Sequence, residues 1–433
     1  MNFSPSTAAV FPLSAAQRGI LFAQHLAGDV PISIAQFVEI HGNLDTRRLV
    51  DAAMTAGHEF GTGYLRLVEV DGVPMQTVDP DVDESMPTVD LRDEPDPIAA
   101  AHAWMRAEYS APIDLFTDRL VTMAVLRVGD EHVYWYSRIH HIALDGYGAM
   151  TLLKRCAELY TGGADASAST AEPLHAIVDA DRQYRSSDRF SADRNYWIDH
   201  LAGLSDPVSL AGRSAPAEAH PLLQRGELDA ITAARLEQIA NELNSGVAPV
   251  TVAAFGAYLA RATGSVEVTL SLPVSARTTA SLRRSGGMVA NVVPLRLRCD
   301  GHTSVADLVR DAQLELTGAL RRQRYRQEDI ARDLGVDASG FGPSVNMMLF
   351  DTRIMLGPFA GRLQVLTSGI IDDLFVNVYP GIGGSTMHID FQANSALYSS
   401  TELAAHHAAF LTFLDRFLTD PHTPVSRLAM TDG

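Results

Sequence analysis

Arg138-Ile139-His140-His141-Ile142-Ala143-Leu144-Asp145-Gly146-Tyr147-Gly148 is the stretch on which the reading of this chain turns. It continues His132-Val133-Tyr134-Trp135-Tyr136-Ser137, whose aromatic and β-branched residues predict a strand. The strand delivers two adjacent histidines, a short turn follows, and Asp-Gly opens a helix expected over residues 146–160. Successive side chains on an extended chain point to opposite faces, so only one of the two histidines can look into a given cavity. A histidine at a strand end suits proton transfer near neutral pH, because its unperturbed pKa is about 6.5. Asp145 can cap the helix or orient a neighbour. Gly146 lets its backbone N–H come close to a ligand. There is no G-x-S-x-G elbow, and Cys156 falls inside the predicted helix, so no covalent nucleophile is evident. The pattern favours direct transfer between two bound substrates. No metal is expected here, since adjacent histidines diverge and H-E-x-x-H spacing is absent. A second pair, His406-His407, reads as helix surface without a role.

Outward from this stretch, strands and helices mix in both halves of the chain. Ser14 and Gln17 make a capping box for a first helix. Strands are expected over 36–40, 120–128, 266–272 and 292–298, with more between 344 and 391. Helices are expected over 45–56, 96–109, 175–186, 192–202, 230–243, 249–262, 304–321 and 401–418. Residues 161–173 are small and polar without periodicity and read as a linker, giving units of 1–173 and 174–433. The class is α/β or α+β, in two lobes of similar make-up.

Composition bounds the function. The chain has 433 residues, 46% hydrophobic and 20% charged, which fits an ordered globular protein of two or three domains. Lys plus Arg is 34 against 52 Asp plus Glu, a net charge of −18. That balance disfavours nucleic acid and anionic membranes as partners. Two cysteines make neither a disulfide framework nor a thiolate zinc site, and the start of the chain lacks the pattern of a signal peptide. A cytoplasmic protein with reduced thiols is expected. Trp135 and Trp197 read as core, and Arg321, Arg322, Arg324 and Arg326 as a solvated helix end.

His140-His141-Ile142-Ala143-Leu144-Asp145-Gly146 resembles the HHxxxDG motif of the chloramphenicol-acetyltransferase-like superfamily. Further stretches narrow the resemblance to condensation domains of nonribosomal peptide synthetases, especially first-module and lipopeptide starter domains such as that of enterobactin synthetase. They are Leu13-Ser14-Ala15-Ala16-Gln17-Arg18-Gly19-Ile20, Asn195-Tyr196-Trp197, Leu272-Pro273-Val274-Ser275-Ala276-Arg277, Gly287-Met288-Val289-Ala290-Asn291-Val292-Val293-Pro294, Arg324-Tyr325-Arg326-Gln327-Glu328-Asp329-Ile330 and Phe341-Gly342-Pro343-Ser344-Val345-Asn346. Together they span nearly the whole chain in order.

The resemblance implies a V-shaped pseudo-dimer of two acetyltransferase-like lobes with a central tunnel. Donor and acceptor would arrive as thioesters on the phosphopantetheine arms of carrier proteins, with no intrinsic cofactor. His141 would orient or deprotonate the acceptor amine, beside His140, and the Gly146 N–H would stabilise developing charge. Asp145 would salt-bridge Arg277 from the other lobe. Ser275, Asn291 and Asn346 become tunnel candidates. An adenylation domain would follow the C-terminus, and the chain would begin a synthetase. Two positions depart from the pattern: Thr62 stands where an arginine is expected, and Gly148 where a serine is usual. An epimerisation domain, a stand-alone O-acyltransferase and a noncatalytic recruitment domain are the alternatives.

Overall fold

The computed structural model describes residues 9–79, 85–162, 169, 171–336, 341–349, 352–381 and 386–430. The linker expected over 161–173 lies largely outside these residues, as does the end of the chain at 431–433. The chain divides into two compact units. The first comprises Met1–Ser187, Arg277–Ala290 and Thr352–Ile370, and the second Asp188–Ala276, Asn291–Asp351 and Ile371–Gly433. A single cut at residue 173 does not describe this division, because two later segments return to pack with the first unit. Arg277, expected from the other lobe, opens one of them and is grouped with Asp145.

The first unit is built on a six-stranded sheet in the order Arg353–Leu356, Phe359–Ser368, Ser33–His41, His132–His140, Val121–Gly129, Thr88–Asp90. All neighbours pair antiparallel except Thr88–Asp90, which runs parallel to Val121–Gly129. His132–His140 is central, and its residues from Val133 onward are buried. Tyr134 and Tyr136 on one face join Ala101 and Met105 of the helix Pro97–Tyr109 in a core. Trp135 and Ile139 point to the opposite face. A strand covered on both faces reads as continuous burial rather than alternation. A smaller sheet, ordered Phe11–Pro12, Val73–Val78, Leu65–Val70, was not foreseen. Its turn is Asp71-Gly72, both with positive φ (51° and 75°), the Asp-Gly signature of a tight hairpin.

The second unit holds a sheet in the order Asn291–Arg298, Glu267–Val274, Ser344–Met347, Leu374–Pro380, Met387–Ala393, Leu222–Gln224. Helix Val247–Thr263 is buried continuously from Val250 to Ala260, as expected of a helix apolar on every side. Phe255 and Tyr258 from it meet Phe391, Phe410 and Phe413 at the centre of that core. No single helix among the described residues is long and apolar enough to cross a membrane.

Two expectations are corrected here. His407 is not surface: it is buried, its ring Nε2 lies 2.8 Å from the Ile389 carbonyl, and its edge meets Phe391. The basic run is not simply solvated either. Arg326 is buried, and the Arg322 guanidinium sits 3.5 Å over the Tyr196 ring. The long aliphatic stem and flat head of arginine let it pack where charge alone predicts water. Trp135 and Trp197 are core.

Candidate active site

The two histidines are held differently. His140 lies opposite Ser33 in the ladder. Its Nε2 is 3.0 Å from Gln24 Oε1, and its Nδ1 accepts the Ile142 N–H at 3.2 Å. Gln24 donates its own amide protons to the carbonyls of Gly28 and Val30. Its oxygen can therefore only accept, so the neutral His140 ring carries its proton on Nε2 and has no atom left for a substrate. Burial, then the neighbouring His141 and Arg138, push its pKa down to about 3. The unfolded ring titrates near its ordinary value, about 6.5. The stability that comes from keeping it neutral is full above about pH 6.5 and is lost as the pH falls toward 3, at roughly 1 kcal/mol per pH unit. Urea unfolding at about pH 7 and about pH 5 measures this slope, and a His140→Gln variant with the same slope would exclude His140 as its source.

His141 follows, its own N–H bonded to the Ile32 carbonyl. Its Nε2 is 3.2 Å from the Ser368 carbonyl oxygen. A carbonyl only accepts, so the neutral ring has its proton on Nε2 and its lone pair on Nδ1. That Nδ1 is buried and has no hydrogen-bond partner among the described residues. Burial lowers the pKa of the ring and outweighs the Ser368 carbonyl and Asp145, which favour the charged form. The result is a neutral imidazole with one uncommitted basic atom. Gly369 makes the approach possible: its φ is +106°, and a Cβ there would stand 3.3 Å from His141 Cδ2. Ser368 and Gly369 carry no motif and were missed by sequence reasoning.

Other unforeseen residues support the loop. Gln17 Nε2 donates to the Ile142 carbonyl at 3.1 Å, so the first helix, Ala15–Ala27, holds the turn after the histidines through Gln17 and Gln24. Glu59 grips Arg155 of the helix Gly146–Thr161 through two bonds of 2.7 and 2.9 Å. Gln36 and Ser137 are cross-strand partners, and Gln36 Nε2 and Ser137 Oγ are buried without hydrogen-bond partners among the described residues. Such orphaned groups are where a ligand or water completes the bonding.

Asp145 caps the helix Gly146–Thr161 by accepting the Gly148 N–H at 2.8 Å. Its other oxygen takes Arg277 Nη1 at 2.6 Å and the Val289 and Ala290 N–H groups at 2.8 Å each. Burial pushes the Asp145 carboxyl up, but Arg277 and the N–H donors outweigh it and hold the group below its ordinary value. Arg277 also donates to the Gly287 carbonyl at 2.8 Å and lies over the Tyr147 ring. Both side chains are essentially fully buried, 0% and 1% exposed. Gly148 is demanded by this packing. A Cβ there would stand 2.6 Å from Leu144 Cδ2 and 2.7 Å from the Gly286 carbonyl oxygen, which explains why the usual serine is absent.

A family model, Condensation domain, matches residues 7–433 of the chain. The chain is a condensation domain. It is 34% identical over 426 residues to an isonitrile lipopeptide synthase of Streptomyces coeruleorubidus, covering 96% of this chain and 29% of the relative. It is 28% identical over 427 residues to enterobactin synthase component F of Escherichia coli strain K12, covering 95% of this chain and 32% of the relative. The chain thus spans less than a third of these curated relatives. Among solved structures it resembles a point mutant of the starter condensation domain of rhizomide synthetase in complex with C8-CoA, with a TM-score of 0.91 and 33% identity over 97% of this chain and 98% of that one. Condensation domains are acyltransferases that form amide bonds.

Within this condensation domain, His140, His141, Asp145, Gly146 and Arg277 share the first unit, while Ser275, Asn291 and Asn346 lie in the second. The Asn291 amide is fully used: Nδ2 donates to the Gln323 and Tyr325 carbonyls, and Oδ1 accepts the Gln327 N–H. Asn346 Nδ2 donates to Asn377 Oδ1 at 2.9 Å on the neighbouring parallel strand. Gly146 is exposed, and a Cβ built on it meets nothing within 4 Å. Thr62 is buried with its hydroxyl unpaired, in a single turn after Gly61.

Proposed function

We propose that this condensation domain joins a carrier-bound acyl thioester to the amine of a carrier-bound aminoacyl thioester. The observation that carries the reading is His141: a neutral ring whose proton is tied to Ser368 and whose Nδ1 lone pair is uncommitted. The amine nitrogen attacks the thioester carbonyl carbon, C–N forms and C–S breaks. His141 Nδ1 accepts a hydrogen bond from the attacking amine and its proton as C–N forms, and that proton leaves with the thiolate. The Gly146 N–H, in the first turn of the helix Gly146–Thr161, stabilises the charge that develops on the carbonyl oxygen. Asp145 and Arg277 hold the loop and touch no substrate.

Phosphopantetheine arms of a donor and an acceptor carrier protein deliver both substrates, and an adenylation domain in the same synthetase activates the acceptor. The acyl donor is favoured over an aminoacyl one by two relatives: the lipopeptide synthase, and the starter domain solved with C8-CoA. Both cysteines are buried free thiols, in keeping with a cytoplasmic setting. The test loads an octanoyl thioester on one carrier and an aminoacyl thioester on another, adds the protein, and looks for amide product by mass spectrometry. Transfer to a hydroxyl, exchange of the α-proton, or carrier binding without product would each replace this reading by one of its alternatives.

A further inference from the structure

At the far end of the strand that carries the catalytic motif, three ligand-bearing side chains meet. Strands Ser33–His41 and His132–His140 pair with His41 opposite His132 and Glu39 opposite Tyr134. His41, His132 and Glu39 therefore share one face of the sheet. The two imidazoles stack at 4.0 Å. Glu39 Oε1 is 3.0 Å from His132 Nε2 and 3.7 Å from His41 Nε2. The candidate donor atoms of all three lie within 4.8 Å of one another. Gln364 Nε2, from the next strand, donates to Glu39 Oε2 at 2.9 Å. That bond leaves Oε1 for the two rings.

An ion pair needs only one imidazole. Two rings stand beside one carboxylate oxygen whose partner oxygen is held by an amide, and turning the exposed His41 ring out of the stack aims both imidazoles at one dication, with an outer partner orienting the carboxylate. Tetrahedral zinc with bonds of about 2.0–2.1 Å sets its ligands about 3.4 Å apart, and the two measured separations fall on either side of that. We propose that Glu39, His41 and His132 form a three-ligand site for a transition-metal dication, Zn²⁺ foremost, with water at the fourth position. Two imidazoles and one carboxylate select zinc, nickel or copper over magnesium or calcium, which prefer all-oxygen cages. The site opens to solvent through His41, 70% exposed, while His132 and Glu39 are 21% and 19% exposed. It lies about 26 Å along the strand from His140, so it clamps the ends of two neighbouring strands rather than taking part in amide formation. No motif announces it: Glu39 and His41 are two residues apart, but His132 reaches them only through the ladder.

Zn²⁺ titrated into the chelator-treated protein, followed by calorimetry and thermal melting, tests this. One equivalent should bind and raise Tm by several degrees, and Mg²⁺ should do neither. His41→Ala and His132→Ala should each weaken binding by roughly 100-fold and Gln364→Ala by roughly 10-fold. His41→Ala changes an exposed side chain, so its Tm without metal should equal the parent's. Absence of Zn²⁺ binding, or equal affinity in His41→Ala and the parent, would overturn the proposal.

Discussion

His141→Ala is expected to lower amide formation by about 10²–10⁴-fold while leaving the protein folded. The ring makes one hydrogen bond, to the Ser368 carbonyl, and keeps one buried nitrogen unpaired. Losing the first costs about 1 kcal/mol, and removing the second relieves a desolvation penalty of similar size, so Tm should barely move. His141→Asn sharpens the test. An asparagine amide reaches about as far as Nδ1, so it can accept a hydrogen bond from the amine but cannot take its proton near neutral pH. If His141 mainly positions the amine, His141→Asn keeps much of the activity that alanine loses. If it is a base, the two variants fall together. Product formation that survives His141→Ala would remove His141 from the reaction altogether.

Arg277→Ala should destabilise the protein by about 3–5 kcal/mol, and Asp145→Ala by a similar amount. Asp145 accepts from Arg277, Val289, Ala290 and Gly148, and all five groups lie in the first unit. Removing the carboxylate strands a buried guanidinium and three N–H donors. Removing the arginine strands a buried carboxylate and the Gly287 carbonyl. Replacing both at once with Asp145→Ala and Arg277→Ala should cost less than the sum of the two single changes, because neither charge is then left alone. Urea unfolding of the two singles and the double measures the coupling. Single variants within about 1 kcal/mol of the parent would show that the pair does not hold the loop.

What could be read from sequence was local. The strand into His140-His141, the Asp145 cap and the Ser14–Gln17 capping box all depend on neighbours a few residues away, and all are present. What escaped was long-range. Ser368 lies 227 residues from His141 in sequence and Gln24 lies 116 from His140, and nothing in either residue type marks its partner. His407 escaped for the same reason: a polar pair on a helix reads as surface until the Ile389 carbonyl that accepts its proton is known. The hairpin at Asp71-Gly72 is different, because its Asp-Gly turn and flanking valines were legible and went unused. Gly148 was noticed as a departure, but only the Gly286 carbonyl beside it explains why a side chain is refused there.

The strand Phe359–Ser368 is laid against Ser33–His41, and Arg277–Ala290 belongs to the same unit. On the ribosome, the first unit therefore cannot close when residue 187 has emerged. It waits about 180 further residues for the strand that neighbours its central pair and for the carbonyl that sets the His141 proton. During that interval the edge of Ser33–His41 stands open while the strands of the second unit are being synthesised. Pairings this remote in sequence are slow to form and leave exposed edges meanwhile. A gene cut between the two units as they appear in sequence would yield a first fragment with its histidines in place and its proton unplaced.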